Sequence, residues 1–293
     1  NASGQIEGSL DALKEGLLLP AALCFETSDR FDVSSCIKEN TESLFGLHAS
    51  LSLANETLEK ISNHLSGTNQ PIHIHVAESQ EDEDDSLRQY SKRVVHRFND
   101  YSLLRKNSIL AHCVHIDDSE AKIIADKQCF IALNPTSNMN NAVGTFNYSL
   151  FKKHHIGLLV GTDGLGSNIA KAWQNLYYAG KQSMRQPDGI PLGDMLNHIT
   201  KSYEYYSNVM KRPVGQIKAG YMSDFVILDY TPPTPLNKDN VFGHVFYGVF
   251  DRFRPESVFV SGEQLINHYA PTFQRKNYQK QVINLWNRIG GIL

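Results

Sequence analysis

Long apolar runs are missing from this chain of 293 residues. No stretch approaches the roughly 18 consecutive apolar residues that a membrane-spanning helix needs, so no membrane partner is expected. Paired cysteine spacing is missing too. Cys24, Cys36, Cys113 and Cys129 contain no Cys-x-x-Cys, which argues against a structural zinc knot and suits reduced thiols in a cytoplasmic protein. Neither sign of charge dominates: a net charge of -3 gives no electrostatic reason to expect nucleic acid or an anionic membrane. The opening residues lack the charged-then-apolar pattern of a secretory leader, which again points to the cytoplasm.

What is present is a coarse β-then-α alternation from about residue 17 to 180. Strand candidates are 19–25, 44–48, 72–77, 108–113, 129–133 and 157–162. Helical patterns lie between them, such as Leu87, Tyr90, Val94 and Phe98 at spacings of three and four. Nearly continuous apolar strands separated by helices indicate a parallel sheet buried on both faces. Residues 10–17 read as a helix feeding the first strand, and 194–210 as a helix after the last. A closed barrel has eight strands and the pattern supplies six. After Lys211 the texture changes. Asp224-Phe225-Val226-Ile227-Leu228-Asp229, the proline-rich Thr231-Pro232-Pro233-Thr234-Pro235, and a strand at 257–260 with the turn Ser261-Gly262 mark a smaller β-rich piece. The expected division is therefore an α/β barrel over 1–211 and a β-rich segment with a terminal helix over 212–293. The acidic run 81–85 reads as a solvated helix start, where negative charge complements the helix dipole.

Three strand candidates end alike. Ile72-His73-Ile74-His75-Val76-Ala77-Glu78, Ile109-Leu110-Ala111-His112-Cys113-Val114-His115 and Leu158-Leu159-Val160-Gly161-Thr162-Asp163-Gly164 each close on a histidine or a carboxylate. In an α/β barrel such ends meet around one mouth. Imidazole and carboxylate there are the ligand set of a catalytic zinc site with a position open for water. His75 reads as a metal ligand and Glu78 as an acid that shuttles protons, or else as a rim histidine beside an exposed glutamate. His73, deeper on the same strand face, reads as a hydrogen-bonded core residue. One of His112 and His115 ends its strand inside the mouth and the other sits on the loop. Gly161 and Gly164 let the backbone turn tightly and aim Asp163 inward. A phosphate-cradling loop at 161–166 is rejected, because an aspartate in its middle repels phosphate and the spacing is not Gly-x-Gly-x-x-Gly. His48 and Asn138 follow other strands and read as substrate-pocket residues, Asn138 equally as a turn former.

In this order, His75-Val-Ala-Glu78, Leu110-Ala-His112-Cys-Val-His115, Asn134-Pro-Thr-Ser-Asn138-Met and Gly161-Thr-Asp163-Gly164 resemble the amidohydrolase superfamily. The branch is that of the cytosine, guanine and S-adenosylhomocysteine deaminases and atrazine chlorohydrolase. Glu26-Thr-Ser-Asp29-Arg30, Ser137-Asn-Met-Asn-Asn-Ala-Val-Gly144 and Gly243-His-Val-Phe-Tyr-Gly248 look most like the aminohydrolases called SsnA.

The resemblance implies a (β/α)8 TIM-type barrel plus a composite β-sandwich. It also implies one divalent metal, zinc first and iron second, that activates water for attack on a heterocyclic or amide carbon. It makes His75 and Asp163 metal ligands, with Asp163 also taking the proton from water. Glu78 would protonate a ring nitrogen, His112 would steady the hydroxide or the tetrahedral intermediate, and His48 would contact the small heterocyclic substrate. The family's first barrel strand ends in His-x-His, and none precedes His48 here. The first two barrel strands are thus expected to be lacking, and the chain by itself is expected to be metal-poor and inactive. The exposed edges of an open sheet favour a homo-oligomer, a dimer first. Two rival functions stand beside ammonia release from a nitrogen heterocycle: a non-catalytic piece, or hydrolysis of another C–N or C–Cl bond by the same site.

Overall fold

The computed structural model describes residues 6–274 and 277–288. The outer ends of the two expected domains, at residues 1 and 293, lie outside them. Five parallel strands, β1 (Phe45–Ala49), β2 (Ile72–Val76), β3 (Ile109–His112), β4 (Phe130–Leu133) and β5 (Gly157–Val160), lie side by side in chain order. Each gap between them carries helix: α3 (Asn55–Leu65), then α4 (Gln80–Tyr90) and α5 (Val94–Asp100), then α6 (Asp118–Asp126), then α7 (Pro135–Asn140) and α8 (Tyr148–Lys153). α1 (Ser9–Gly16) and α2 (Val33–Glu39) precede the sheet, while α9 (Ile169–Met184) and α10 (Leu192–Met210) follow it. Successive parallel strands joined by helices form the repeating unit of α/β barrels.

The sequence of β2 shows how the sheet sorts its faces. Ile72, Ile74 and Val76 are fully buried against the helices, whereas His73 and His75, one residue out of phase, point to the other face. The two-residue period of a strand enforces that separation. Leu58, Ile61 and Leu65 of α3 and Val94, Val95 and Phe98 of α5 complete the core on the aliphatic side. α6 starts with a reciprocal capping box, in which Asp117 accepts the Glu120 N–H and Glu120 accepts the Asp117 N–H.

The expected strand at 19–25 does not form. The chain there forms no regular element, and it meets the sheet just beyond, through one parallel bridge from Thr27 to Leu47. Asn40 is the reason. Its buried side-chain amide accepts from the N–H groups of Phe25 and Gly46 and donates to the Phe25 carbonyl, so a side chain takes positions that a strand ladder would fill. A Cβ at Gly46 would overlap the Phe25 carbonyl, so only glycine admits this approach. The sheet therefore has five strands, and it remains open.

Two further expectations are corrected. Leu87, Tyr90, Val94 and Phe98 do not share one helix: α4 ends at Ser91, whose φ is 55°, and α5 restarts at Val94, leaving Leu87 43% exposed. The acidic run is at a helix start but is only partly solvated: Glu81 and Asp84 are exposed, whereas Asp82, Glu83 and Asp85 are buried. Asp82 accepts the Ala77 N–H at 2.7 Å, and Glu83 faces Arg93, which also holds Glu120 at 2.7 Å and the His115 carbonyl at 2.7 Å.

Burial first, then Glu120, pushes the Glu83 carboxyl up to about 8 against the pull of Arg93. The folded chain thus holds a proton that the unfolded chain releases near the ordinary value of 4.5. Stability is therefore lost as pH rises through that window. E83Q keeps the acceptor for the Val94 N–H without ionising. Between pH 5 and pH 8.5 the melting temperature of the unmodified chain is expected to fall by several degrees more than that of E83Q. Equal falls would show that Glu83 does not titrate there.

Arg97 is the largest fully buried side chain. Its guanidinium donates to Ser50, Leu53 and Asn55 and stacks 3.5 Å from the Tyr90 ring centroid, which fixes the loop that leaves β1. R97L leaves those oxygens buried without donors and is expected to cost about 3 kcal/mol or more in urea unfolding. A loss below about 1 kcal/mol would contradict this role.

The second sheet is antiparallel, in the order β6 (Phe225–Ile227), β7 (Ser257–Val260), β8 (Glu263–Asn267), β9 (Ala270–Pro271). Ser261 and Gly262, both at positive φ, make the two-residue turn between β7 and β8. No helix among the described residues is long and apolar enough to cross a membrane. All four cysteines are unpaired.

Candidate active site

The parallel register brings the strand exits to one edge. His75 pairs with Ala49 on one side and Ala111 on the other, and Val76 pairs with His112. The imidazoles of His48, His75 and His112 consequently form a row, with centroid separations of 5.7 and 5.4 Å. The backbone is bent sharply there. Ala77, His112, Cys113 and Asp163 all have positive φ, between 46° and 72°, a conformation disfavoured for residues with a Cβ. Hydrogen bonds hold the bends: Cys113 N–H donates to the Val76 carbonyl, Val114 N–H to the Ala77 carbonyl, and Ala77 N–H to Asp82.

His112 is the centre of the arrangement and is 1% exposed. Its Nδ1 lies 2.8 Å from Asn138 Oδ1, and Asn134 Nδ2 lies 3.3 Å from its Nε2. The Asn138 acceptor places a ring proton on Nδ1 and leaves Nε2 to face the cluster. Nε2 also lies 3.6 Å from Glu78 Oε2 and 3.9 Å from Asp163 Oδ2. These distances are too long for hydrogen bonds. One donor atom from each of the three residues lies within 4.8 Å of the others. Donor atoms at this spacing are a set that a divalent cation can gather. In a tetrahedral zinc site the ligand atoms stand about 3.3 Å apart, so small side-chain movements close this group around such an ion. The residues fit a divalent metal.

Burial and the neighbouring rings of His112 and His48 push His75 below the ordinary imidazole value, which keeps it neutral and able to ligate. Burial alone would raise Asp163. The Ser137 hydroxyl, the Gly164 N–H and the two imidazoles outweigh burial and hold it below the usual carboxylate range. Glu78 is a third exposed and accepts from Asn141 Nδ2 at 3.4 Å, so it can reach both the cluster and incoming solute. His48 stands at the outer end of the row with its Nδ1 2.6 Å from Ser52 Oγ.

Asn138 does not line the rim. It is 2% exposed, and it meets the site through the His112 ring. His115 lies outside the cluster, bound to the Val143 carbonyl at 2.7 Å. His73 lies deeper, 4.0 Å from Cys24 Sγ, and burial followed by His75 lowers it to about 4. Three site residues are missing from the sequence reading: Asn134, Ser137 and Asn141. Asn134 directly follows β4, just as Glu78, Cys113 and Gly161 lie just past neighbouring strands. That position is a signal which its turn-like Asn-Pro pairing masks. A Cβ at Gly161 would overlap Asn134 Oδ1, so this glycine serves the approach of Asn134 as well as the turn.

The amidohydrolase family profile matches residues 29–265. The chain belongs to the amidohydrolase family. It is 29% identical over 207 residues to a 5'-deoxyadenosine deaminase of Methanococcus vannielii, covering 69% of this chain and 48% of that one. It is 26% identical over 210 residues to a 5-methylthioadenosine/S-adenosylhomocysteine deaminase of Caldanaerobacter subterraneus subsp. tengcongensis, covering 70% and 48%. This amidohydrolase chain thus spans about half the length of the curated relatives it matches. In fold it is similar to a zinc-bound adenosine deaminase from Xanthomonas campestris, with a TM-score of 0.70 at 19% identity over 85% of this chain and 57% of that one. It is also similar to the zinc complex of atrazine chlorohydrolase TrzN from Arthrobacter aurescens, with a TM-score of 0.71 at 17% identity over 97% and 69%. These neighbours establish the amidohydrolase barrel fold, of which five strands are formed here.

Proposed function

We infer that this chain carries the acid–base half of a metal-dependent aminohydrolase, one that releases ammonia from the exocyclic amine of a purine nucleoside or related nitrogen heterocycle. The observation that carries this reading is the cluster of His112 Nε2, Glu78 and Asp163, with His75 against the same ring. His112, His75 and Asp163 would hold the metal; three protein ligands with one open position is the usual catalytic arrangement. When bound, a divalent ion supplies a water acidic enough to be a nucleophile near neutral pH.

The rest falls to the side chains. Asp163, held ionised by Ser137 and the Gly164 N–H, takes the proton from water at a carboxylate oxygen. Glu78 is the proton carrier: its partly exposed carboxyl delivers a proton to the ring nitrogen, which makes the attacked carbon more electrophilic, and regains one from the adduct's hydroxyl as the carbonyl forms. The proton held by Asp163 passes to the amine that leaves as ammonia. His112 is better placed as a ligand than as a donor to hydroxide, because its proton is committed to Asn138. His48 closes the outer end of the row against substrate.

The names of the relatives favour a 6-aminopurine nucleoside modified at its 5' carbon. The unpaired thiols and the absence of a spanning helix among the described residues support a cytoplasmic setting. The exposed residues Phe225, Val226 and Ile227 of β6 support a homodimer. The test is a chimera of this chain with the portion of a 5'-deoxyadenosine deaminase that the match leaves out, loaded with zinc or iron and offered 5'-deoxyadenosine and 5-methylthioadenosine. Ammonia release is expected from the chimera and not from the chain alone. A metal-loaded chimera that releases none from either nucleoside would sink the proposal.

A further inference from the structure

We propose that the opposite edge of the parallel sheet carries a second binding site, for a small organic anion with an apolar body, such as an aryl or alkyl carboxylate or sulfonate. A cavity of about 640 Å³ opens there, lined in part by Phe130 and Gly157, the first residues of β4 and β5. The His112 cluster lies past the other ends of these strands, and Asn134 is about 13 Å along β4 from Phe130 at the rise of a parallel strand. The two sites are therefore separate.

The lining has the two parts that such a ligand needs. Phe151, Ile156 and Leu158 make an apolar floor that is itself buried. Lys106, Lys152 and Lys201 stand at the rim as exposed residues, against one carboxylate in the lining, Asp194, and Glu204 beside it, 4.0 Å from Lys201. Asp194 is already engaged by the Tyr148 hydroxyl at 3.3 Å and by Lys152 at 3.3 Å. Tyr148 also bonds His198 Nε2 at 2.9 Å, so the polar wall is internally satisfied, and Lys106, which pairs with no carboxylate among the described residues, is left to an incoming anion. A volume of this size with an apolar floor and a few convergent polar groups is the usual form of a small-molecule site. The surplus of lysine sets the sign of the ligand, and the aromatic and aliphatic floor sets its body.

The probe is 1-anilinonaphthalene-8-sulfonate, an aryl sulfonate whose fluorescence rises on apolar burial, titrated into the folded chain. One saturable site is expected. K106E/K152E should weaken it at least about tenfold, which is the effect of losing roughly 1.4 kcal/mol. N197W, which projects a ring into the cavity from the exposed face of α10, should abolish it. I217E, at the separate exposed apolar surface around Ile217, should leave it unchanged. N-phenyl-1-naphthylamine, the same body without the sulfonate, should bind at least about tenfold more weakly. Binding that survives both cavity variants, or that moves with I217E, overturns the site; equal affinity for the uncharged body overturns its preference for anions. None of these readouts depends on metal or turnover, so the deaminase reading stands or falls separately.

Discussion

Replacing Asp163 by asparagine is expected to lower the affinity of the chain for zinc by at least about a hundredfold in a competition titration. Even residues that only orient metal ligands cost 10- to 100-fold when changed. Asp163 is held ionised: the Ser137 hydroxyl, the Gly164 N–H and two imidazoles keep it below the usual carboxylate range against the effect of burial. Asparagine preserves the size of the side chain and an oxygen, and removes the charge that balances the ion. The 3-10 turn at Asp163–Leu165 places the residue at positive φ, a conformation that asparagine tolerates as well as aspartate, so the backbone should not move. A D163N chain that binds zinc like the unmodified one would show that the ion sits elsewhere, and would remove the metal reading of the cluster.

Strand ends were the legible part of this chain. His75, His112 and Asp163 are visible in sequence because each closes a short apolar run, and parallel strands in register must bring such ends together. The two-residue period of β2 also separates its histidines from Ile72, Ile74 and Val76 without any structure. The misses have physical causes too. Residues 19–25 are as apolar as a strand, but a strand is defined by its ladder, and Asn40 supplies hydrogen bonds that a ladder would have made. Charge at 81–85 reads as solvated because burial of carboxylates depends on distant partners. Arg93 and the Ala77 N–H are such partners, and no local pattern announces them. Asn134 and Asn138 look like turn formers because they do begin a turn of helix. That they grip opposite nitrogens of His112 follows from α7 packing against α9 and the turn at Asp163–Leu165, which sets them beside the end of β3 and which a linear pattern does not encode.

Glu78 decides between the two chemistries available to the cluster. Distance alone groups it with His112 and Asp163 as a third donor to a cation. Tethering argues that it moves protons: Asn141 holds one of its oxygens by a long 3.4 Å contact rather than locking both, whereas Asp163, just as exposed, is bound by the Ser137 hydroxyl and the Gly164 N–H. In the metal-loaded chimera, E78Q is therefore expected to reduce kcat for ammonia release by about 10² to 10⁴, the usual contribution of a positioned general acid–base group. Its zinc content should remain that of the parent. The glutamine can still accept from Asn141 but cannot carry a proton to the ring nitrogen. KM should change little, since a carboxyl that acts on the reacting nitrogen contributes mainly in the transition state. Loss of zinc together with activity would instead make Glu78 a ligand and pass proton transfer to Asp163 alone. Unchanged kcat with zinc in place would remove Glu78 from the reaction.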